Sequence, residues 1–353
     1  MIGAPPMVQF PSPVSARRPL AALGLFVALA ASGCGGATST GASRSATSTL
    51  TMTVTKTTPG TATGPSTTAP LAGTGRPVVT IGDKNYTEQF VLGQLYLQAL
   101  EAQGFKVNIT ENIGPPSVVR QAMKNGSLAM YPEYLDVLDQ TFARRRRRFA
   151  SRASAYQAAQ SWAQRHELTL LTPTPFSDTD AIAVTDAYGA VHHLHTLGNL
   201  LGVAGTLVIG GAEQFKTERM GLPSLEEAYG VEPESFLPLA VGEQYNDLDA
   251  GTIQAAYVNT TDGELASGDY RALGDPARIF GFGNVVPVLS DKAILEEGPA
   301  FAATIERVDR TLTLQTMREL NSAAAVTAAS PAAIALQYLQ THGLLAPLRS
   351  SDD

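Results

Sequence analysis

The stretch Val78–Ile109, VVTIGDKNYTEQFVLGQLYLQALEAQGFKVNI, changes its apolar period twice. Val78–Gly82 is a short apolar run closed by glycine and reads as a strand. From Thr87 onward the apolar residues Val91, Leu92, Leu95, Tyr96, Ala99 and Leu100 recur at i, i+3/i+4, the stripe of a helix. Thr87 can cap its start, and Gly104 stands at the C′ position, where glycine is favoured. Lys106–Ile109 returns to strand. Strand, helix and strand in close succession point to an α/β protein.

The alternation continues outward. Ser117–Lys124 reads as a helix stopped by Gly126, Leu128–Tyr131 as a strand, the region around Ser154–His166 as a polar helix and Leu168–Leu171 as a strand. Ala181–Thr185, Leu207–Gly210, Phe236–Leu239, Ile253–Val258 and Val285–Leu289 are further strands. Leu194–Leu201, Ser224–Tyr229 and Gln244–Asp249 are helices between them. Ser330-Pro331 supplies an N-cap and an N1 proline for a last helix that carries Ile334, Leu336, Tyr338 and Leu339 and stops at Gly343. This order predicts mostly parallel sheets with a ligand at the carboxyl ends of the strands.

The region upstream of the globule is of another kind. Arg17 and Arg18 precede an apolar run, Leu20–Ala31, and then Ala31-Ser32-Gly33-Cys34. The run is too short for a spanning helix, which needs roughly 20 residues, and it matches a secretory signal. The small residues ending in Cys34 resemble a bacterial lipobox, which implies cleavage before Cys34 and lipidation of its thiol; an ordinary signal peptide with an incidental cysteine is the other reading. From Gly35 to Arg76, 19 of 42 residues are Ser or Thr and none is acidic. Such a segment buries too little apolar surface to offset its conformational entropy and is expected to be disordered. As a flexible coil it spans roughly 35–40 Å.

Composition narrows the function. The chain has 353 residues, 44% of them hydrophobic, with a formal net charge of −7 and one cysteine. Removing residues 1–33 takes away two basic residues and no acidic one, so the mature chain carries −9. Acidity excludes a general nucleic-acid binder, which needs basic surface against phosphates. A lone cysteine excludes an internal disulfide and a cysteine-rich zinc site. No G-x-S-x-G, Walker, H-E-x-x-H or G-x-G-x-x-G motif is present, which leans away from the common enzyme classes.

Three segments together carry a resemblance. They are Ile81–Gln89 (IGDKNYTEQ); Ala122–Ser127 (AMKNGS) running into Tyr131-Pro132-Glu133-Tyr134; and Gly221–Leu225 (GLPSL) before Ala228-Tyr229-Gly230. Thr260-Thr261-Asp262 and Thr316–Asn321 (TMRELN) extend it. Over most of 78–345 the chain resembles the substrate-binding proteins of ABC importers for glycine betaine, choline and carnitine. The resemblance implies a two-lobed periplasmic-binding-protein fold with a hinge and an interlobe ligand cleft. The expected division is a signal peptide over 1–33, the lipidated Cys34 and tether over 34–76, lobe 1 from 77–178 with 262–353, and lobe 2 from 179–261.

It also implies ligand chemistry. A quaternary ammonium donates no hydrogen bond, so aromatic faces recognise it, at about 2 kcal/mol or more per desolvated contact. Carried over residue by residue, Tyr134 and Tyr245 match cage tyrosines, and Lys84 matches a lysine that can reach a ligand carboxylate. Asp178 matches an acidic residue at the crossing into lobe 2. Asp180 and Asn259 stand where the family has tyrosines, with Tyr257 two residues before Asn259. Glu218 stands where the family has a carboxylate-binding arginine, with Arg219 beside it. Two tyrosines replaced and two acids gained point to a cation lacking a carboxylate, or a polar neutral solute.

Other residues read more plainly. Tyr86, Tyr131 and Phe215 are expected to be framework, and Trp162 core. His192, His193 and His195 lack a carboxylate or cysteine partner at metal-binding spacing and read as a solvated helix start, so no metal and no cofactor is expected. The basic run Arg144–Arg148, with Arg152, reads as a solvated loop, the other reading being a contact to anionic lipid or cell-wall polymer. The resulting expectation is a lipid-anchored solute-binding protein on the outer face of the cell membrane. It does no chemistry, and its partners are a small solute and the permease and ATPase subunits of an ABC importer. A receptor of the same fold that signals without transport is the alternative.

Overall fold

The computed structural model describes residues 70–142, 149–326 and 329–348. The signal segment, Cys34, the tether up to residue 69 and Arg144–Arg148 lie outside the described residues. Residues 70–76 were expected to belong to the tether, yet they form a turn seated on the globule. The Gly73 N–H donates to the Gln103 carbonyl over 2.9 Å, and Arg76 donates to the Glu296 carbonyl, also over 2.9 Å.

The strands in chain order are β1 Val78–Gly82, β2 Lys106–Thr110, β3 Met130–Tyr134, β4 Leu168–Leu170, β5 Asp180–Thr185, β6 Val208–Gly211, β7 Ser235–Pro238, β8 Ala255–Asn259, β9 Tyr270–Ala272 and β10 Val285–Ser290. They form two five-stranded sheets, ordered β2-β1-β3-β10-β4 and β7-β6-β8-β5-β9. Both are mixed, which corrects the expectation of mostly parallel sheets. β10 runs antiparallel to β3 and β4, and β5 antiparallel to β8 and β9. The physical reason is the route of entry. β5 and β10 come straight from the other lobe, whereas parallel neighbours such as β1 and β2 are joined by a helical crossover.

β9 also moves the lobe boundary from 261 to about 281. It hydrogen-bonds the free edge of β5, and Leu273, Ile279 and Phe280 pack with Phe215 and Leu225 in the core of the second sheet. From Phe282 and Val285 onward the chain joins the core of the first sheet.

The helix Thr87–Ala102 buries Val91, Leu92, Leu95, Tyr96, Ala99 and Leu100, the stripe expected from spacing. It packs against the helices Pro299–Asp309, Leu314–Val326 and Pro331–Thr341. The chain after β10 is helical, as expected, with Asp291–Glu297, Pro299–Asp309 and Leu314–Val326 now delimited; Asp186–Val191 was not anticipated, and Leu197–Thr206 is a 3₁₀ run rather than the α-helix expected over Leu194–Leu201.

β3 begins at Met130, two residues later than expected, so Tyr134 falls at its carboxyl end. Pro132 of β3 lies opposite Pro287 of β10. Neither has an N–H, so this pair occupies a non-hydrogen-bonded position of the ladder, which is how two prolines sit inside a sheet. Asp83 and Lys84 follow β1 and Asp136 follows β3. β10 is antiparallel, so its preceding residue Asn284 reaches the same edge. In the second sheet the corresponding edge carries Asp180 at the start of β5 and Asn259 at the end of β8.

Candidate functional site

Two segments cross between the sheets, Ser177–Thr179 and Gly281–Asn284, and Thr260–Thr261 at the end of β8 lies against them. They are stitched to one another. The Asp178 N–H donates to the Gly283 carbonyl over 2.9 Å, and the Gly283 N–H to Ser177 Oγ over 3.0 Å. Thr260 and Thr179 exchange two bonds, and Thr260 Oγ1 donates to the Ser177 carbonyl over 2.8 Å. A Cβ at Gly283 would lie 1.6 Å from the Asp178 carbonyl oxygen, so only glycine permits this approach.

Around the crossings the first sheet presents a buried polar network. Tyr134 Oη donates to Glu88 Oε1 over 2.8 Å. Asn321 Nδ2 donates to Glu88 Oε2 and to the Thr261 carbonyl, each over 2.9 Å. Tyr86 lies over Tyr134 with ring centroids 6.2 Å apart and is 45% exposed. The Lys84 ammonium is ion-paired with Glu133, whose side chain is only 1% exposed. Releasing Lys84 to a ligand carboxylate would strand this buried charge.

The second sheet contributes another set. Tyr257 Oη donates to Asp180 Oδ1 over 2.7 Å, and its ring stacks on Phe215 at 4.4 Å. Tyr245 is buried, donates to Asp262 Oδ2 over 2.9 Å and meets the Tyr270 ring edge-on at 4.9 Å. Asn259 lies opposite Asp180 in the ladder, and its backbone N–H donates to Asp262. Glu218 is exposed in the loop before Gly221, and its charge acts on Asp180 and Tyr257.

Acid dominates this region. Burial pushes the Glu88 carboxyl up, against hydrogen bonds from Thr261, Asn321 and Tyr134. Burial, with the charge of Glu88, raises Asp178 well above the carboxylate range; Thr261 opposes, and Asp262 and Asp136 add. Burial takes Asp136 to about 7 against a hydrogen bond from the Val137 N–H, with Asp180 and Glu133 adding. Asp180 is raised by burial against its bond from Tyr257, and Asp262 reaches about 6 for the same reasons with Tyr245 as donor. The Tyr86 hydroxyl is pushed up by burial and by Glu133, Asp178, Glu88 and Asp136, which places it among these acids. Among the bases here, Arg318 donates its Nε–H to the Thr260 carbonyl over 2.8 Å.

The structure therefore brings Lys84, Tyr134, Asp178 and Asp180 to the facing edges. Tyr245 and Asn259 join them through Asp262, and Glu218 sits at the rim. Tyr86, Glu88, Asp136 and Asp262 were missed as site residues. A tyrosine at the helix N-cap with no side-chain capping bond, where Ser, Thr, Asn or Asp is preferred, is the signal that picks out Tyr86. Glu88 and Asp262 lie within the motifs Ile81–Gln89 and Thr260–Asp262, and Asp136 carries no local signal. Phe215 and Trp162 are buried, and Trp162 stacks on His166. Tyr188 and His192 pair through their rings, while the His195 N–H donates to Asn199. Among the described residues no His, Cys, Asp and Glu are grouped to hold a metal ion. A separate cavity of about 390 Å³ between Thr172–Pro175 and Glu306–Arg310 shares no residue with this region.

The family described as the substrate-binding domain of the ABC-type glycine betaine transport system matches residues 77–341. The glycine betaine-binding protein YehZ of Escherichia coli is 29% identical over 279 residues, covering 75% of this chain and 90% of that protein. The carnitine transport binding protein OpuCC of Listeria monocytogenes is 23% identical over 273 residues, covering 76% and 88%. Among solved structures, a glycine betaine/carnitine/choline ABC transporter protein superposes with TM-score 0.71 at 21% identity, over 76% of this chain and all of that one. Apo YehZ from Escherichia coli superposes with TM-score 0.67 at 27% identity, over 75% and 99%. With three quarters of its length matched and the two-sheet architecture shared, the chain belongs to the substrate-binding domain family of ABC-type glycine betaine transport systems.

Proposed function

We propose that this protein captures a small quaternary-ammonium or related compatible solute between its two lobes and delivers it to an ABC permease. It binds and hands over, without chemistry. Closure brings the edge carrying Tyr86, Tyr134 and Asp136 toward that carrying Asp180 and Asn259, with the two crossings as hinge, a standard switching mode. The observation that supports this reading most is the pairing of tyrosine rings with carboxylates at the crossings. Aromatic faces and negative charge both attract a cation that donates no hydrogen bond. Lipidation of Cys34 holds the protein at the outer face of the membrane, and the Ser/Thr-rich tether gives it reach.

Calorimetry of the purified chain against glycine betaine, choline, carnitine, proline betaine, ectoine and a polyamine tests the reading. Saturable one-to-one binding of a solute from this set is expected; no binding of any overturns it. Metabolic labelling with palmitate, lost in Cys34→Ser, tests the anchor.

A further inference from the structure

Among the described residues, three carboxylates stand at the crossings with no basic side chain bonded to them. Asp136 follows β3 in the first sheet, Asp178 lies on the first crossing segment, and Asp180 opens β5 in the second sheet. They act on one another across the two sheets: the charge of Asp180 is felt at Asp136, and that of Asp136 at Asp178. Lys84 is taken by Glu133, and Arg318 by the Thr260 carbonyl.

Their hydrogen-bonding capacity is also incomplete. Asp180 receives the Tyr257 hydroxyl on Oδ1, and Asp136 receives the Val137 N–H on Oδ1 over 2.8 Å. Asp178 Oδ1 is buried and has no partner. Glu133, fully buried beside them, has its Oε2 without a partner although its Oε1 is bonded to Lys84 and to the Tyr134 N–H. Buried acceptors without donors cost free energy until something supplies positive charge or donors. A carboxylate on the ligand would add more acceptors and more negative charge at the same place. A cation without one would satisfy the site.

We infer that Asp136, Asp178 and Asp180 act as the charge selector of this cleft, and that its ligand is a carboxylate-free organic cation, zwitterions being rejected. The inference rests on the solute-binding reading above and narrows its substrate class. Asp180 is the determinant on the second sheet, and Tyr257 positions it. The ring of Tyr257 is stacked on Phe215 and its hydroxyl is bonded to Asp180, so it serves the carboxylate rather than the ligand directly.

Choline and glycine betaine are the matched probes, since they share a trimethylammonium head and differ at the other end, alcohol against carboxylate. 1,4-Diaminobutane distinguishes a protonated amine from a quaternary head. Calorimetry on the full mature chain is expected to show choline or the diamine binding at least tenfold tighter than glycine betaine. Asp180→Asn and Asp136→Asn, nearly isosteric, are each expected to weaken the cation at least tenfold and to narrow its advantage over glycine betaine. Tyr257→Phe keeps the charge and is expected to cost less than Asp180→Asn. Thermal melts of each variant establish that it is folded. Glycine betaine binding as tightly as choline, or folded Asp→Asn variants with unchanged selectivity, overturns the selector and leaves the solute-binding reading standing. Binding of none of the three probes, with none of the wider solute set bound, overturns both.

Discussion

Tyr134 and Glu88 share a buried hydrogen bond of 2.8 Å that links the end of β3 to the first turn of the helix Thr87–Ala102. Tyr134 thus has two roles that substitution separates. Its hydroxyl satisfies a buried carboxylate, while its ring lies under Tyr86. Tyr134→Phe keeps the ring and leaves Glu88 one donor short, so stability is expected to fall by about 1–3 kcal/mol in a denaturant melt. Tyr86→Ala removes an exposed ring and no hydroxyl bond seen in the structure. Its melting is expected to stay close to the parent, while cation affinity falls by about 30-fold, corresponding to ~2 kcal/mol of cation–π attraction.

Gly283 is where the crossings touch. Gly283→Ala places a methyl group inside the Asp178 carbonyl and must push two crossing segments apart. A loss of about 3 kcal/mol or more, or failure to fold, is expected. Gly75→Ala is the control for a generic glycine effect, since a Cβ there meets nothing within 4 Å and only the positive φ is disturbed. A Gly283→Ala protein that melts like the parent would show that the crossings are looser than described.

Lys84 is expected to matter for stability more than for any carboxylate on the ligand. Lys84→Met leaves Glu133 buried with the Tyr134 N–H as its remaining donor, at about 3 kcal/mol of destabilisation by denaturant melting. Lys84→Met with Glu133→Gln is expected to recover part of that loss. Selectivity between choline and glycine betaine is expected to be the same in the folded double variant as in the parent.

The acids set an unusual pH profile. Folding raises Asp136 to about 7, Asp83 to about 7, Asp262 to about 6 and Asp309 to about 8, all chiefly through burial. A group whose pKa is raised on folding binds its proton more tightly in the native state. Its contribution is complete below the unfolded value near 4 and is lost as pH rises through the folded value. Ligand-free protein is therefore expected to melt higher at pH 5 than at pH 8. A bound cation favours the ionised carboxylates, so the rise in Tm on adding a cationic ligand is expected to be larger at pH 8 than at pH 5. Scanning calorimetry at both pH values checks both statements, and an opposite order in the ligand-free melts would sink the burial account.

The strands and helices of 78–134 were largely legible because each announces itself within a few residues, as the stripe of Thr87–Ala102 does. β9 was not, since three residues are too few to show a period. The directions of β5 and β10 were hidden for another reason: a strand reads the same whichever way it is paired. Those directions depend on which lobe the chain arrives from. At the site, Lys84 and Tyr134 were found through local motifs, but the motif around Lys84 is silent on Glu133, which takes up its charge.

The sequence alone determined the class of the protein: alternating elements, a resemblance carried by three motifs, an acidic chain and a single cysteine ahead of a Ser/Thr-rich segment. These follow from composition and short-range pattern, which are properties of neighbours along the chain. Tertiary structure decided the rest. Glu88, Asp136, Asp178, Asp180 and Asp262 are scattered over 175 positions in the sequence, and only the two facing sheet edges and their crossings bring them together. Burial and mutual charge then act on groups that are distant in sequence, because electrostatics depends on separation in space and on access to water.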